Sequence, residues 1–214
     1  MRGGTLRVLS VDLPIGLDTA VNYTPNGMAM ARAYARTLYG YNTSGPPDQV
    51  TDPVPDIASG PPQISDDRRT YTFTLRPGVR YAPPVDREVT AQDFITAIQR
   101  LYDKTTFSDG KKYADLIAGA RRFGADKASS ISGLAAPDAH TLTITLAQPA
   151  EDFLSILTQS FFAPVPGEYA ANYTVGANYD GHVVGSGPYT VDVYDPGRLG
   201  QGDGEGVGVG GGQP

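Results

Sequence analysis

The side chains that most often bind metal ions are scarce in this sequence, which has two histidines and no cysteine in 214 residues. His140 and His182 are far apart, and neither has a second ligand at the spacing of a metal site. The segment 103–115 superficially resembles a calcium-binding loop, but Thr105 and Phe107 occupy positions that should supply oxygen ligands. We therefore predict no metal site and no other cofactor, and the lack of cysteine excludes disulfides.

Groups suited to acid–base or nucleophilic catalysis are present but poorly arranged. The adjacent carboxylates Asp66 and Asp67 stand at a predicted turn, and Glu151 and Asp152 stand at the start of a short predicted helix, where acidic residues are common for structural reasons. Ser186 is directly flanked by glycines and lacks the one-residue spacing of a nucleophile elbow. The glycines near the end of the chain precede no helix, so they form no dinucleotide loop. The sequence predicts that the protein is not an enzyme.

Charge and hydropathy narrow the choice of partner. The net charge is −6, from 17 basic and 23 acidic residues, and the basic clusters are short and separated. Phosphate binding needs clustered Lys and Arg, so we expect no nucleic-acid partner. No apolar run approaches the ~20 residues that span a bilayer. The first residues lack the apolar region of a signal peptide, so either the protein is cytosolic or a targeting segment precedes this numbering.

One stretch, "SDDRRTYTFTLRPGVRY" at 65–81, alternates apolar and polar residues with the period of a half-buried strand. Its Tyr71, Phe73 and Leu75 are predicted to face a core, and its threonines the wetter side. Pro77 and Gly78 predict a turn into a return strand, which makes a hairpin. A helix is predicted over 90–103, where Thr90 and Asp93 are spaced as in a capping box.

The remaining pattern mixes strands and helices without regular alternation, which predicts an α+β fold. A proline-rich connection with six prolines spans 41–62, and nine glycines among the last 18 residues predict a disordered tail over 197–214. The other predicted elements are strands at 5–11 and 142–146, a glycine turn that leads into a strand within 185–195, and helices at 28–39 and 150–157.

Several segments, taken in order, resemble the extracytoplasmic solute-binding proteins of family 5, the peptide/nickel class that serves ABC importers. The stretch 65–81 followed by "VTAQDF" resembles the family hallmark "SDDG-x-TYTF-x-LR-x-GV-x-F" followed by "VTAEDV". The other matching segments are "GGTLRVLSVDLPIGLDTA", "ISGLAAPDAHTLTITLAQPAEDFLSIL", "FFAPVPGEY" and "VVGSGPYTVDVYDPG". A departure occurs at "APPVDREVTAQDF", where the family usually has "HDG" before this segment.

The resemblance implies an α+β first lobe with an inserted subdomain, in the type II, peptide-binding variant of the periplasmic-binding-protein-like fold. Residues 1–44 and 161–196 correspond to segments of the first lobe, and residues 45–160 to an inserted α+β subdomain. Family members are much longer, so we expect the second lobe to be absent. A truncation or a frameshift is our hypothesis for that difference.

The resemblance also implies a binding function. In the family the solute lies in a cleft between two lobes, which close by a hinge and deliver it to ABC permease subunits in the membrane. The ligand-binding residues carried over are Asn22, Tyr23, Thr24 and Tyr113. A peptide is the favoured solute, while a dipeptide, a longer peptide, a nickel chelate and a sugar stay open.

Two functions follow from this resemblance. The first is a fragment of a solute-binding lipoprotein or periplasmic protein, located outside the cytoplasm, with any anchor cysteine upstream of this numbering and with impaired ligand capture. The alternative is a non-transporting remnant or interaction protein that keeps the subdomain fold. Loss of strands would leave sheet edges exposed, so we also expect self-association.

Overall fold

A computed structural model describes residues 16–42, 45–46, 49–105, 107–195 and, for the backbone, 207–211. The predicted strand at 5–11 lies outside these residues. The helices are α1 Pro25–Tyr34, α2 Ala91–Arg100, α3 Lys111–Ala114, α4 Ala120–Gly124, α5 Phe153–Ile156, α6 Gly167–Ala170 and α7 Ala177–Asp180, with a 3-10 turn at Ser160–Phe162. The strands are β1 Tyr39–Tyr41, β2 Pro53–Pro55, β3 Gln63–Ile64, β4 Thr70–Thr74, β5 Leu134–Asp138, β6 Thr141–Thr145, β7 Tyr189–Tyr194 and β8 Val207–Gly211.

The centre of the molecule is a four-stranded antiparallel sheet in the order β3-β4-β6-β5. On its buried face Tyr71 lies opposite Ile144 and Phe73 opposite Leu142, while the threonines between them point the other way. Helix α2 packs against β5 and β6. The alternating pattern therefore predicted the buried face of β4 correctly, because burial of one sheet face fixes a period of two.

The predicted hairpin at Pro77 and Gly78 is wrong. Gly78 does turn the chain, with φ of +81°, but the residues after it form only an isolated bridge between Arg80 and Glu88. Strand β4 pairs with β3 on one side and β6 on the other. Both edges are occupied, so none is left for a return strand.

Helices α1 and α2 each begin after a threonine. Helix α2 follows Thr90, whose backbone N–H donates to the Asp93 carboxylate at 2.8 Å, and this confirms the predicted capping box. Helix α1 begins at Pro25, earlier than predicted, because the Thr24 hydroxyl accepts from the Gly27 N–H at 3.2 Å. It ends at Tyr34, since the following residues lead into strand β1.

Part of the predicted disordered tail is ordered in the structure. Val207–Gly211 form strand β8, antiparallel to β7. Backbone groups alone make such a ladder, so a glycine-rich segment needs no large side chains to join an existing strand. The other residues of 197–214 lie outside the described part.

A continuous hydrophobic core joins the predicted lobe segments to the predicted insertion. It contains Leu38 from the first segment, Phe73 and Phe94 from the insertion, and Phe162 and Val184 from the last segment. Within the described ranges, no helix is long and apolar enough to cross a membrane.

Candidate ligand-binding site

The N-terminal loop, residues 16–24, is held by a buried polar cluster. The Asp180 carboxylate accepts hydrogen bonds from the backbone N–H groups of Leu17 and Asp18, both at 2.7 Å. The Asp18 carboxylate in turn accepts from the Gly176 N–H at 2.8 Å and from the Arg100 guanidinium at 2.7 Å. The loop is thus tied to α2 and to α7 at once, although these elements are distant in sequence.

Burial sets the electrostatics of this cluster. Asp18 is fully buried, and Arg100, whose side chain is only 10% exposed, both pairs with it and lies over the Tyr179 ring at 4.5 Å. Burial raises the pKa of Asp180, and the nearby Asp18 carboxylate acts in the same direction. The guanidinium compensates one of the two buried carboxylates, and both carboxylates are engaged in hydrogen bonds that fix the loop.

Two of the four predicted site residues, Asn22 and Thr24, have side chains that serve the fold. Asn22 is fully buried, and neither atom of its side-chain amide makes a hydrogen bond of ordinary geometry. The amide lies against Gly27, where even a methyl group would come within 1.8 Å of its oxygen. Thr24 caps α1 through its hydroxyl. In this conformation Asn22 presents no side-chain surface to a solute.

Tyr23 and Tyr113 are more accessible. The Tyr23 side chain is 50% exposed, and Tyr113 is partly buried and stacks on Phe161, with ring centroids 6.4 Å apart. The buried Ser108 hydroxyl donates to the carbonyl of Ala20, which fixes the segment 107–113 against the N-terminal loop. The structure therefore brings the two predicted segments together. We use the name aromatic shelf for Tyr23 together with the segment 107–113, which this hydrogen bond attaches to the loop that carries Tyr23.

The groups suited to acid–base chemistry or metal binding are dispersed. The pKa of Asp67 is lowered to about 2, mainly by hydrogen bonds from Ser65 and Arg69 in an exposed turn. His140 lies 3.9 Å from Glu88, and His182 stacks on Tyr173 at 4.1 Å. In the part of the chain that the structure describes, no group of three or more His, Cys, Asp or Glu could hold a metal ion.

A cavity of about 500 Å³ that is open to solvent is lined by the C-terminal half of α2, by residues that follow it up to Thr105, and by Phe123. Its cations are already engaged, since Arg100 pairs with Asp18 and Lys104 with Asp126. The aromatic shelf offers a different chemistry, namely flat apolar area with phenolic hydroxyls. Such a surface suits an extended ligand with apolar groups and hydrogen-bonding atoms.

Solved structures define the class of the fold. The chain matches "Clavulanic acid biosynthesis oligopeptide binding protein 2" with a TM-score of 0.80 and 32% identity, over 91% of this chain and 35% of that chain. It matches the open form of "MppA Periplasmic Murein Tripeptide Binding Protein" with a TM-score of 0.72 and 30% identity, over 86% and 34%. The fold is therefore that of the periplasmic-binding-protein-like peptide-binding proteins, as predicted.

The relatives found by sequence are peptide-binding proteins, like the structural matches. The periplasmic murein peptide-binding protein MppA of Escherichia coli K12 is 36% identical over 185 residues, which are 84% of this chain and 32% of that protein. The periplasmic oligopeptide-binding protein OppA of the same organism is 30% identical over 142 residues, 65% of this chain and 25% of that protein. The chain spans about a third or less of the length of these relatives.

The family profile described as "Bacterial extracellular solute-binding proteins, family 5 Middle" matches residues 52–199, more than half of the chain. This chain belongs to that family, which confirms the resemblance found in the sequence. The family is one of solute-binding proteins. Sequence reasoning missed Asp18, Arg100 and Asp180, the residues that fix the loop, because no local pattern marks a cluster built from three distant segments.

Proposed function

We propose that this chain serves peptide uptake, as part of a solute-binding protein that acts outside the cytoplasm and delivers its ligand to ABC permease subunits. The observation that carries the proposal is the similarity to MppA, a murein peptide-binding protein, over 84% of this chain. The proposed role is binding without catalysis. The finer solute class, whether dipeptide or longer peptide, belongs to the same proposal.

The aromatic shelf is the part of the chain that we assign to the ligand. Backbone groups at Asn22, Tyr23 and Thr24 would pair with an extended peptide, and the Tyr113 ring would contact it from the other side. The buried side chain of Asn22 would act through the loop backbone. Because the chain spans about a third of the relatives' length, we expect it to bind more weakly by itself than they do.

Titration calorimetry of the full chain tests this function. Trialanine should give saturable heat, whereas a nickel–histidine chelate and maltose should give none. The Tyr113→Ala variant should weaken trialanine binding by about tenfold, as expected for a lost aromatic contact. The matched control is Tyr189→Ala, which removes a tyrosine that is 47% exposed on β7, and it should bind like the parent.

The alternative is a non-transporting interaction protein that keeps this fold. Strand β7 supports it, because it exposes Tyr189 and Val193 to solvent. Such a face would also favour self-association, which we propose to measure by sedimentation across a range of concentrations. No heat with any peptide, together with a concentration-dependent sedimentation coefficient, would favour the alternative over peptide uptake.

A further inference from the structure

Phe107 is the most exposed of the large hydrophobic residues in the described part of the chain. Its exposed fraction is 78%, whereas the next, Val193, is 55% exposed. A single exposed apolar side chain is ordinary on a protein surface. Two features of its surroundings distinguish Phe107 from that ordinary case.

The first feature is a fixed backbone. Ser108, directly after Phe107, is 5% exposed and its hydroxyl is hydrogen bonded to the carbonyl of Ala20. Gly110 packs so closely on Phe161 that a methyl group there would come within 2.7 Å of the ring. The ring of Phe107 therefore projects from a backbone that is held on its C-terminal side by buried contacts.

The second feature is position. Ala20, the partner of Ser108, precedes Tyr23 by three residues, which is at most ~11 Å of chain. Tyr23 thus lies on the loop that holds the backbone next to Phe107. Asp109 and Lys112, the charged neighbours in the same segment, are paired with each other at 3.3 Å. Lys111, the other charged residue of the segment, lies over the Tyr102 ring at 5.3 Å, so Phe107 is the exposed apolar group that this segment offers a ligand.

We propose that Phe107 is a specificity-determining residue of the aromatic shelf and receives an apolar side chain of the bound peptide. This inference rests on the proposed function. The ring loses water-exposed area only when a ligand with an apolar side chain is present, so it favours leucine over glycine at the contacting position. It contributes little to peptides that lack such a side chain.

Photo-cross-linking tests directly whether Phe107 contacts the bound peptide. The full chain with Phe107 replaced by p-benzoylphenylalanine is irradiated with Ala-Leu-Ala or with Ala-Gly-Ala, and adducts are counted by mass spectrometry. We expect several times more adduct with Ala-Leu-Ala, and little adduct when the same group replaces Tyr189. Equal yields at positions 107 and 189 would overturn the assignment of Phe107.

Calorimetry separates this inference from the proposed function. In the parent chain Ala-Leu-Ala should bind more tightly than Ala-Gly-Ala, and Phe107→Ala should weaken only the former, by about tenfold. If the parent binds both peptides and Phe107→Ala changes neither, the proposed function stands and the role of Phe107 is refuted. If the parent binds neither peptide and yields no adduct, both proposals fail.

Discussion

The carboxylate of Asp180 accepts two hydrogen bonds from consecutive backbone N–H groups, those of Leu17 and Asp18. Both bonds go to the same oxygen. Burial raises the pKa of Asp180, so its negative charge is a cost to the folded state at neutral pH. Asp180 is thus needed as an acceptor, and a neutral side chain of the same shape should replace it.

We predict that Asp180→Asn leaves the free energy of unfolding at pH 7 unchanged or raises it by up to about 1 kcal/mol, because the amide oxygen accepts both bonds without a buried charge. Asp180→Ala should lower it by about 1–3 kcal/mol, since two buried N–H groups lose their acceptor. Urea denaturation followed by circular dichroism measures both changes. A destabilisation by asparagine as large as that by alanine would show that the charge is required.

The contribution of Asp180 to the free energy of unfolding depends on pH with a definite sign. A pKa raised on folding means that the folded chain holds the proton more tightly, so the contribution of Asp180 to stability is complete below the unfolded pKa of about 3.9. That contribution declines as the pH rises through the folded pKa. The advantage of Asp180→Asn over the parent should therefore increase between pH 4 and pH 7. An advantage that is largest at pH 4 would contradict this account.

At the scale of elements, the last segment closes on α1 through backbone contact. The Gly187 N–H donates to the carbonyl of Tyr34 at 2.8 Å, at the end of α1. Gly185 lies even closer, so a methyl group on it would stand 1.7 Å from the same carbonyl oxygen. The close approach of these two backbone segments leaves no room for a side chain, which is why the last segment has glycine at this position.

Gly185→Ala should therefore lower the free energy of unfolding by about 1–3 kcal/mol or more, as overpacking against an immobile backbone does. Gly181→Ala is the matched control, because a methyl group there meets nothing within 4 Å and its φ is −77°. The control should be neutral or gain up to about 1 kcal/mol from reduced entropy of the unfolded chain. Thermal and urea denaturation of the pair would refute the close approach if both variants behaved alike.

At the scale of the whole molecule, three arginine–carboxylate pairs join the predicted lobe segments to the predicted insertion. Arg36 pairs with Asp56, and Arg100 pairs with Asp18 at 2.7 Å. Arg87 bridges Asp93 at 2.7 Å and Glu168 at 2.6 Å. With a hydrophobic core that also crosses the boundary, the two parts should unfold together.

Arg100→Met tests this cooperativity. It leaves the buried Asp18 carboxylate uncompensated, which should cost about 3–5 kcal/mol. The far-ultraviolet signal of the helices and sheet and the near-ultraviolet signal of the tyrosines should shift together. Adding Asp18→Asn should recover part of the loss, because it removes the stranded charge. Two separate transitions, one for each part, would contradict a single cooperative unit.

Patterns within a few residues predicted part of the fold. The alternation of Tyr71, Phe73 and Leu75 and the capping box of Thr90 and Asp93 depend only on neighbours in sequence. The partner of β4 was not predictable in this way, since β6 follows about 70 residues later and competes with every closer segment. The turn at Gly78 was correct, while the return strand was not.

The candidate site was less accessible to sequence reasoning. The resemblance placed Tyr23 and Tyr113 on segments that the structure brings together through Ser108 and Ala20. It could not indicate that Asn22 is fully buried, because burial depends on how α1 and the loop pack. In the sequence, Phe107 served only to argue against a calcium-binding loop. Its proposed role depends on its exposure, which the sequence does not indicate.

The hydrogen bonds between the N-terminal loop and Asp180 also set an order of events during synthesis. Leu17 and Asp180 are 163 residues apart. A ribosome adds roughly 5–20 residues per second, so roughly 8–30 s pass before the acceptor for the Leu17 N–H exists. Although the N-terminal loop is the first described part of the chain to leave the ribosome, we expect it to be among the last to reach its native conformation.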